Sequence, residues 1–128
     1  MKRKYHIYTD ASVKENYYTI SAVIVRNHHI VTVLYKKINE CVTSTKAEHE
    51  SVMNARNYVR KTYGISKNDY IIYTDCQPLV NVFKDLIWVR GHVDYKNATW
   101  KHKYNCLADY IAKHGLNDWQ KWWYNHKL

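Results

Sequence analysis

Two apolar runs in this chain end in the same four residues, Ile7-Tyr8-Thr9-Asp10 and Ile72-Tyr73-Thr74-Asp75. An aspartate at the end of a strand ordinarily serves a turn, because its side chain bonds its own backbone and stops a sheet. Two at matching ends of neighbouring parallel strands would instead meet, and the carboxyl ends of strands are where open α/β sheets place ligand sites. A third acid is selected by helical arithmetic in "STKAEHESVMNARNYVRKTYG". At about 100° per residue, Glu48 shares a narrow stripe with Val52, Ala55 and Val59, while Glu50 falls opposite with Asn54, Asn57 and Lys61. Thr45-x-x-Glu48 also has the spacing of a capping box. A carboxylate on the core side needs a partner, and a metal ion is one of the few that can satisfy several at once. The fourth acid, Asp109, lies in "NCLADYIAK" beside Leu107, Ala108, Ile111 and Ala112, one turn after Asn105. Alone, it reads equally as a solvated helix acid favoured by the dipole.

The surrounding elements decide whether these acids converge. Alternation with β-branched and aromatic residues predicts strands at about 3–10, 17–26 and 30–37, joined by the polar turns "VKEN" and "NHH" into an antiparallel meander. A helix capped by Ser44 or Thr45 and closed by Gly64 follows, then the strand "DYIIYTD". Gln77-Pro78 opens a short helix, "LIWVR" at 86–90 reads as a fifth strand, and "GHVDYKNATWKHKY" as a polar, aromatic loop. A helix through "NCLADYIAKH" stops at Gly115, and a last Trp-rich helical turn or two follows. This order predicts an α/β fold, a mixed sheet flanked by helices. A right-handed crossover through the long helix would lay "YIIYTD" parallel to a neighbour, and if that neighbour is the first strand the two aspartates meet.

The length of 128 residues, with 46% hydrophobic and 15% aromatic residues, suits a single domain over 1–128, its core at about 1–116 and a Trp-rich basic segment at 117–128. Twenty Lys and Arg against eleven Asp and Glu give a formal charge of +9, and the pI is near 9.4, a balance that favours a polyanionic partner. No run of about 18 apolar residues exists to span a bilayer. The charged opening "MKRK" is followed by an apolar stretch broken at His6, Thr9 and Asp10, unlike a signal peptide, so a cytoplasmic location is expected. Cys41, Cys76 and Cys106 are odd in number and widely spaced, which suggests neither a disulfide framework nor a zinc site but small residues at least half buried.

On "YTDAS", "AEHESVMNA", "YTDCQ", "WVRGH" and "NCLADYIAK", in that order, the chain resembles the type 1 ribonuclease H family over nearly its whole length, to about residue 114. The resemblance implies an RNase H-like five-stranded mixed sheet, a three-stranded antiparallel meander plus two parallel strands. It implies that Asp10, Glu48, Asp75 and Asp109 are catalytic and hold two divalent cations, Mg²⁺ with Mn²⁺ as a substitute. Hard cations prefer such oxygens, and closely spaced acids repel without them. Two such ions can activate a water, orient the scissile phosphate and neutralise the leaving oxygen. His92 would be the proton-shuttling histidine, for which a pKa near neutrality is apt. The implied activity is endonucleolytic hydrolysis of the RNA strand of RNA/DNA hybrids to 5′-phosphate and 3′-hydroxyl products, by a monomer needing no protein partner or membrane. Gln77 and Ser44 stand at positions that read RNA 2′-hydroxyls, where the family usually carries Asn in place of Ser44. Thr43 and Lys46 would meet a phosphate of the DNA strand; Ser12 and Asn105 complete the candidate substrate contacts.

Three features depart from the family's pattern. Ala11-Ser12 and a short hairpin replace the Gly-rich turn after the first Asp. Ten residues between Gln77 and Trp88 leave no room for the basic helical handle many members insert. The stretch from His92 to Asn105 is longer than usual and carries Lys96, Trp100, Lys101 and Lys103 among Tyr95, His102 and Tyr104. Cations interleaved with aromatics suit phosphate contact and stacking, so this loop is a candidate clamp beside the active site, or else a solvated loop. Trp119, Trp122 and Trp123 are expected to pack on the sheet, since exposed tryptophans are costly. Two other readings accompany the leading one: a DNA nuclease of the resolvase or transposase type, and a non-catalytic hybrid- or RNA-binding domain. A purely electrostatic binder, however, gains nothing from acids clustered where phosphates must lie.

Overall fold

A computed structural model of the chain describes residues 4–91 and 98–127. Strands β1 (Tyr5–Val13), β2 (Tyr18–Arg26) and β3 (His29–Ile38) form the expected antiparallel meander. The β2–β3 hairpin turns on Asn27 and His28, both at positive φ (55° and 63°), the two-residue geometry that matches the right-handed twist of the flanking strands. Helix α1 (Ser44–Tyr63) follows, then a 3₁₀ turn at Lys67–Asp69 and β4 (Tyr70–Thr74). Helix α2 (Gln77–Val82) leads directly into β5 (Leu86–Trp88), and α3 (Trp100–His114) and α4 (Trp119–His126) complete the fold.

The sheet order is β3-β2-β1-β4-β5. β4 lies parallel to β1 with Tyr5 opposite Tyr70 and Tyr8 opposite Tyr73, so the two "IYTD" runs point the same way in matching register. β5 continues the sheet parallel to β4. The fold class is therefore the five-stranded mixed sheet expected, three strands antiparallel and two added in parallel.

Strand alternation divides the core in two. Ile7, Ala22, Ile24 and Ile72 face α1, where Val52, Ala55 and Val59 meet them on the stripe that the helical period picks out. On the other face Tyr8, Val23, Val25 and Tyr73 meet Tyr104, Leu107, Ala108 and Ile111 of α3. Leu107 and Ile111 are fully buried, a burial worth roughly 1.5–3 kcal/mol each. Helix α3 is also bonded to β2: Ser21 Oγ donates to the Ala108 carbonyl at 2.6 Å, and Thr19 Oγ1 donates to that of Ala112. Trp119, Trp122 and Trp123 pack against this second core, with Trp123 stacked 5.2 Å from Tyr104 and Trp122 4.7 Å from Tyr110.

Three local expectations are corrected. The cap of α1 is Thr43, whose hydroxyl accepts from the Lys46 amide at 3.2 Å, not Ser44 or Thr45. Glu48 therefore lies beyond the capping position and has no reciprocal bond to make there. Helix α3 begins at Trp100 rather than near Asn105, because Thr99 caps it in a reciprocal box with His102. The apolar spacing Trp100, Tyr104, Leu107, Ile111 extends the helical stripe back through the supposed loop. Cys41 is exposed, its thiol donating to the Glu15 carbonyl, whereas Cys76 and Cys106 are half-buried as expected.

Candidate active site

Each acid is delivered by a different element. Asp10 belongs to β1 where that strand has passed beyond its pairing with β4, and Asp75 immediately follows β4. Glu48 comes from the first turns of α1, turned inward with Ala47, Ser51 and Val52. One carboxyl oxygen from each of Asp10, Glu48 and Asp75 lies within 4.8 Å of the others. Asp109, partly exposed on α3, lies close enough to Asp10 to raise its pKa and holds Lys113 Nζ at 3.2 Å. Three of the four acids thus share one space, with Asp109 beside Asp10.

The electrostatics are those of crowded like charge in a poorly solvated place. Asp10 is 5% exposed and Glu48 7%. Burial raises the Asp10 pKa well above its ordinary value; the charge of Asp75 and the contact with Asp109 add to the rise, and the Ala11 amide, donating to Oδ1 at 2.9 Å, opposes it. Burial likewise pushes Glu48 up to about 11, with Asp10 and Asp75 as the next causes. Glu48 Oε1 is buried with no hydrogen-bond partner among the described residues. A buried acceptor left unpaired is costly, and like charges this close cannot all ionise without compensation. The donor set consists entirely of carboxylate oxygens, the set hard divalent cations take. The residues present therefore fit a divalent-metal site.

The other candidates differ in exposure. Gln77 opens α2 two residues after Asp75 and is exposed; Thr43, Ser44 and Lys46 sit exposed around the start of α1. Ser12 is half-buried near the end of β1. Asn105, one turn before Asp109, is 3% exposed and its Oδ1 has no partner among the described residues. His92 and Lys96 lie outside the described residues. Gly91, immediately before His92, rests so close to Asp75 that a Cβ there would stand 3.1 Å from Oδ2. That contact was not anticipated, since a residue without a side chain leaves no chemical signal. The Asp109–Lys113 pair was also passed over, although its i,i+4 spacing is visible in the sequence.

Trp100, Lys101 and Lys103 are not at this site. They occupy the first turn of α3, and the nine steps from Trp100 to Asp109 span about 13 Å of helix. Lys101 instead lies over the Tyr73 ring, 5.4 Å from its centroid, on the side of the sheet where β1 begins. The described part of the expected clamp thus lies at the start of α3, with Lys101 and Trp100 toward the beginning of β1.

No model of a known protein family matches the sequence, and no curated protein matches it either. Solved structures do match. LC11-RNase H1, isolated from compost by a metagenomic approach, is 19% identical over 88% of this chain and 94% of that one, with a TM-score of 0.64. LC11-RNase H1 in complex with RNA/DNA hybrid is 19% identical over 88% of this chain and 79% of that one, at a TM-score of 0.54. The N-terminal RNase H domain of rv2228c from Mycobacterium tuberculosis, solved as a fusion with maltose-binding protein, is 17% identical over 88% and 76%, at 0.55. The fold of this chain is therefore that of RNase H. Among the described residues no helix is long and apolar enough to cross a membrane.

Proposed function

We propose that this RNase H-fold chain is a type 1 ribonuclease H, a metal-dependent endonuclease that hydrolyses the RNA strand of RNA/DNA hybrids to 5′-phosphate and 3′-hydroxyl products. The observation that carries the reading is the convergence of Asp10, Glu48 and Asp75 within 4.8 Å at the carboxyl end of the parallel strands. The likeness in fold to an RNase H1 solved with an RNA/DNA hybrid supports the choice of substrate.

Asp10, Glu48, Asp75 and Asp109 would hold two divalent cations, Mg²⁺ or Mn²⁺ in its place. Bound there, the ions would lower the pKa of an attacking water and offset charge on the leaving oxygen. The chain's own groups do the rest. The Ala11 amide and the surrounding core fix the Asp10 carboxyl, and Lys113 restrains Asp109. His92, next to the Gly91 that touches Asp75, shuttles a proton as the water oxygen adds to phosphorus and the 3′-oxygen leaves as a hydroxyl. Gln77 and Ser44, exposed at the starts of α2 and α1, contact 2′-hydroxyls of the RNA strand, with Asn105 and Ser12 nearer the acids. Lys46 meets a phosphate of the DNA strand, as does Thr43, whose hydroxyl accepts in the cap and so keeps its proton to donate.

The test is cleavage of one labelled sequence presented as RNA/DNA hybrid, duplex DNA, duplex RNA and single-stranded RNA, each with Mg²⁺, Mn²⁺ or EDTA. The expected result is metal-dependent cutting of the RNA strand of the hybrid alone. Cutting of DNA would replace this reading with a DNA nuclease, and binding of hybrid without cutting would replace it with a non-catalytic domain.

A further inference from the structure

At the opposite end of the sheet from the acids, two adjoining cavities of about 510 and 300 Å³ share Trp100, Tyr104 and His28 as a common wall. Both volumes fall in the range of ligand pockets, roughly 300–1,000 Å³. The larger is closed by Lys4, His6, Tyr8 and Lys101, and the smaller by Trp119, Trp123, Tyr124 and Lys127. None of the described residues lining either cavity is an Asp or a Glu. The rings are not spent on the core: Trp100 is 50% exposed and Tyr124 72%. Each has a cation over its face, Lys103 4.9 Å from the centroid of a Trp100 ring and Lys127 5.5 Å from that of Tyr124. The positive potential is felt locally. His6 is held below its usual pKa, by burial first and then by Lys101, His28 and Lys4.

We propose that this groove is a second nucleic-acid site, which takes unpaired nucleotides of a single strand with bases stacked on Trp100 and Tyr124 and phosphates against Lys4, Lys101 and Lys127. The chemistry selects this occupant. An apolar protein partner would not require a cation beside each ring, and a bare anion would not require the rings. Basic grooves with aromatic platforms bind single strands because every base has a π-face to offer and every linkage a negative charge. A duplex keeps its base faces stacked inside and could use only the cations. The site shares no lining residue with the carboxylates, of which Asp109 lies about 13 Å along α3 from Trp100, and they carry the opposite charge.

The experiment uses the full chain in EDTA, where cleavage plays no part, with a fluorescently labelled oligothymidylate read by anisotropy and by quenching of the tryptophans. Saturable binding that weakens steeply with salt is expected, since phosphate contacts release counterions. Trp100→Ala should weaken it roughly 5- to 100-fold. Lys4→Glu, which alters only an exposed charge at the start of the chain's first strand, should weaken it with an unchanged melting temperature, so the test does not depend on the tryptophan variant folding. Absence of saturable binding, or affinity unaltered in both variants, would overturn the proposal. Because no cleavage is read, its failure is distinct from failure of the ribonuclease reading.

Discussion

Just beyond the parallel pairing of β1 with β4, Asp10 and Asp75 crowd negative charge into a space shared with Glu48, whereas at the start of β1 Lys4 and His6 share theirs with Lys101 and the rings of Trp100 and Tyr104. The two regions are four residues apart along one strand, a span of about 13 Å. Neither arrangement favours folding, because like charges gathered at either end raise the energy of the compact state. They differ in how far the molecule has compensated internally. The basic end spreads its cations over ring faces and solvent, while the acidic end buries a carboxyl oxygen of Glu48 with no partner among the described residues. The acidic end therefore needs a cation from outside far more acutely than the basic end needs an anion.

The sharpest way to break that contrast is to remove one acid. Asp10→Asn or Asp75→Asn should abolish measurable hybrid cleavage while circular dichroism and hybrid binding stay near wild type; turnover at the wild-type rate by either would end the metal assignment. The loss expected at His92 is milder. His92→Ala should slow single-turnover cleavage by about 10²-fold, the usual scale of general acid–base assistance, and an unchanged rate would leave His92 without a role. Crowding Asp75 instead of deleting it should cost less again. Gly91→Ala places a Cβ 3.1 Å from Asp75 Oδ2, so that carboxylate must shift by a few tenths of an ångström. Cleavage is expected to fall about 10-fold with a raised metal requirement, as small misplacements of reacting groups do; full activity at limiting Mg²⁺ would show that Asp75 tolerates the displacement.

The smallest effect is on stability. Burial and mutual repulsion raise the folded pKa values of Asp10 and Glu48, the latter to about 11, above unfolded values of roughly 4. The folded state consequently holds protons that the unfolded chain releases. This contribution is fully present below about pH 4 and is lost as pH rises toward the folded values. Metal-free protein should melt progressively lower across the neutral range, and Mg²⁺ should restore it more at pH 8 than at pH 5. Asp10→Asn should raise the metal-free melting temperature by a few degrees, roughly 1 kcal/mol for a domain this size. A melting temperature indifferent to pH and Mg²⁺ would mean that the acids are compensated from within.

Much of this was legible because it is local. The period of α1 put Glu48 on the side of Val52, Ala55 and Val59, and strand alternation separated the two faces of the sheet, since both follow from backbone geometry alone. The chain order of the acids carried the resemblance to ribonuclease H, and the crossover through α1 made a parallel β1–β4 pair the natural topology. The stretch from Trp100 to Tyr104 reads as a loop in the sequence because its cations mask an apolar spacing that continues α3 by more than a turn. Thr43 does not stand out as the cap in the sequence because Ser44 and Thr45 are chemically equivalent candidates; only the backbone φ and ψ distinguish among them.

The residues themselves determined most of the elements and the inward face of α1, which depend on neighbours within a few turns or strand repeats. Only the tertiary structure decided that three carboxyl oxygens meet within 4.8 Å, that Gly91 lies against Asp75, and that Trp100, Lys101 and Lys103 stand at the far end of the sheet. Those facts depend on the register of β4 on β1 and on the direction in which α3 crosses β2. Both are set by long-range packing and by the Ser21 and Thr19 bonds to helix carbonyls, none of which has a signature in any short stretch of chain.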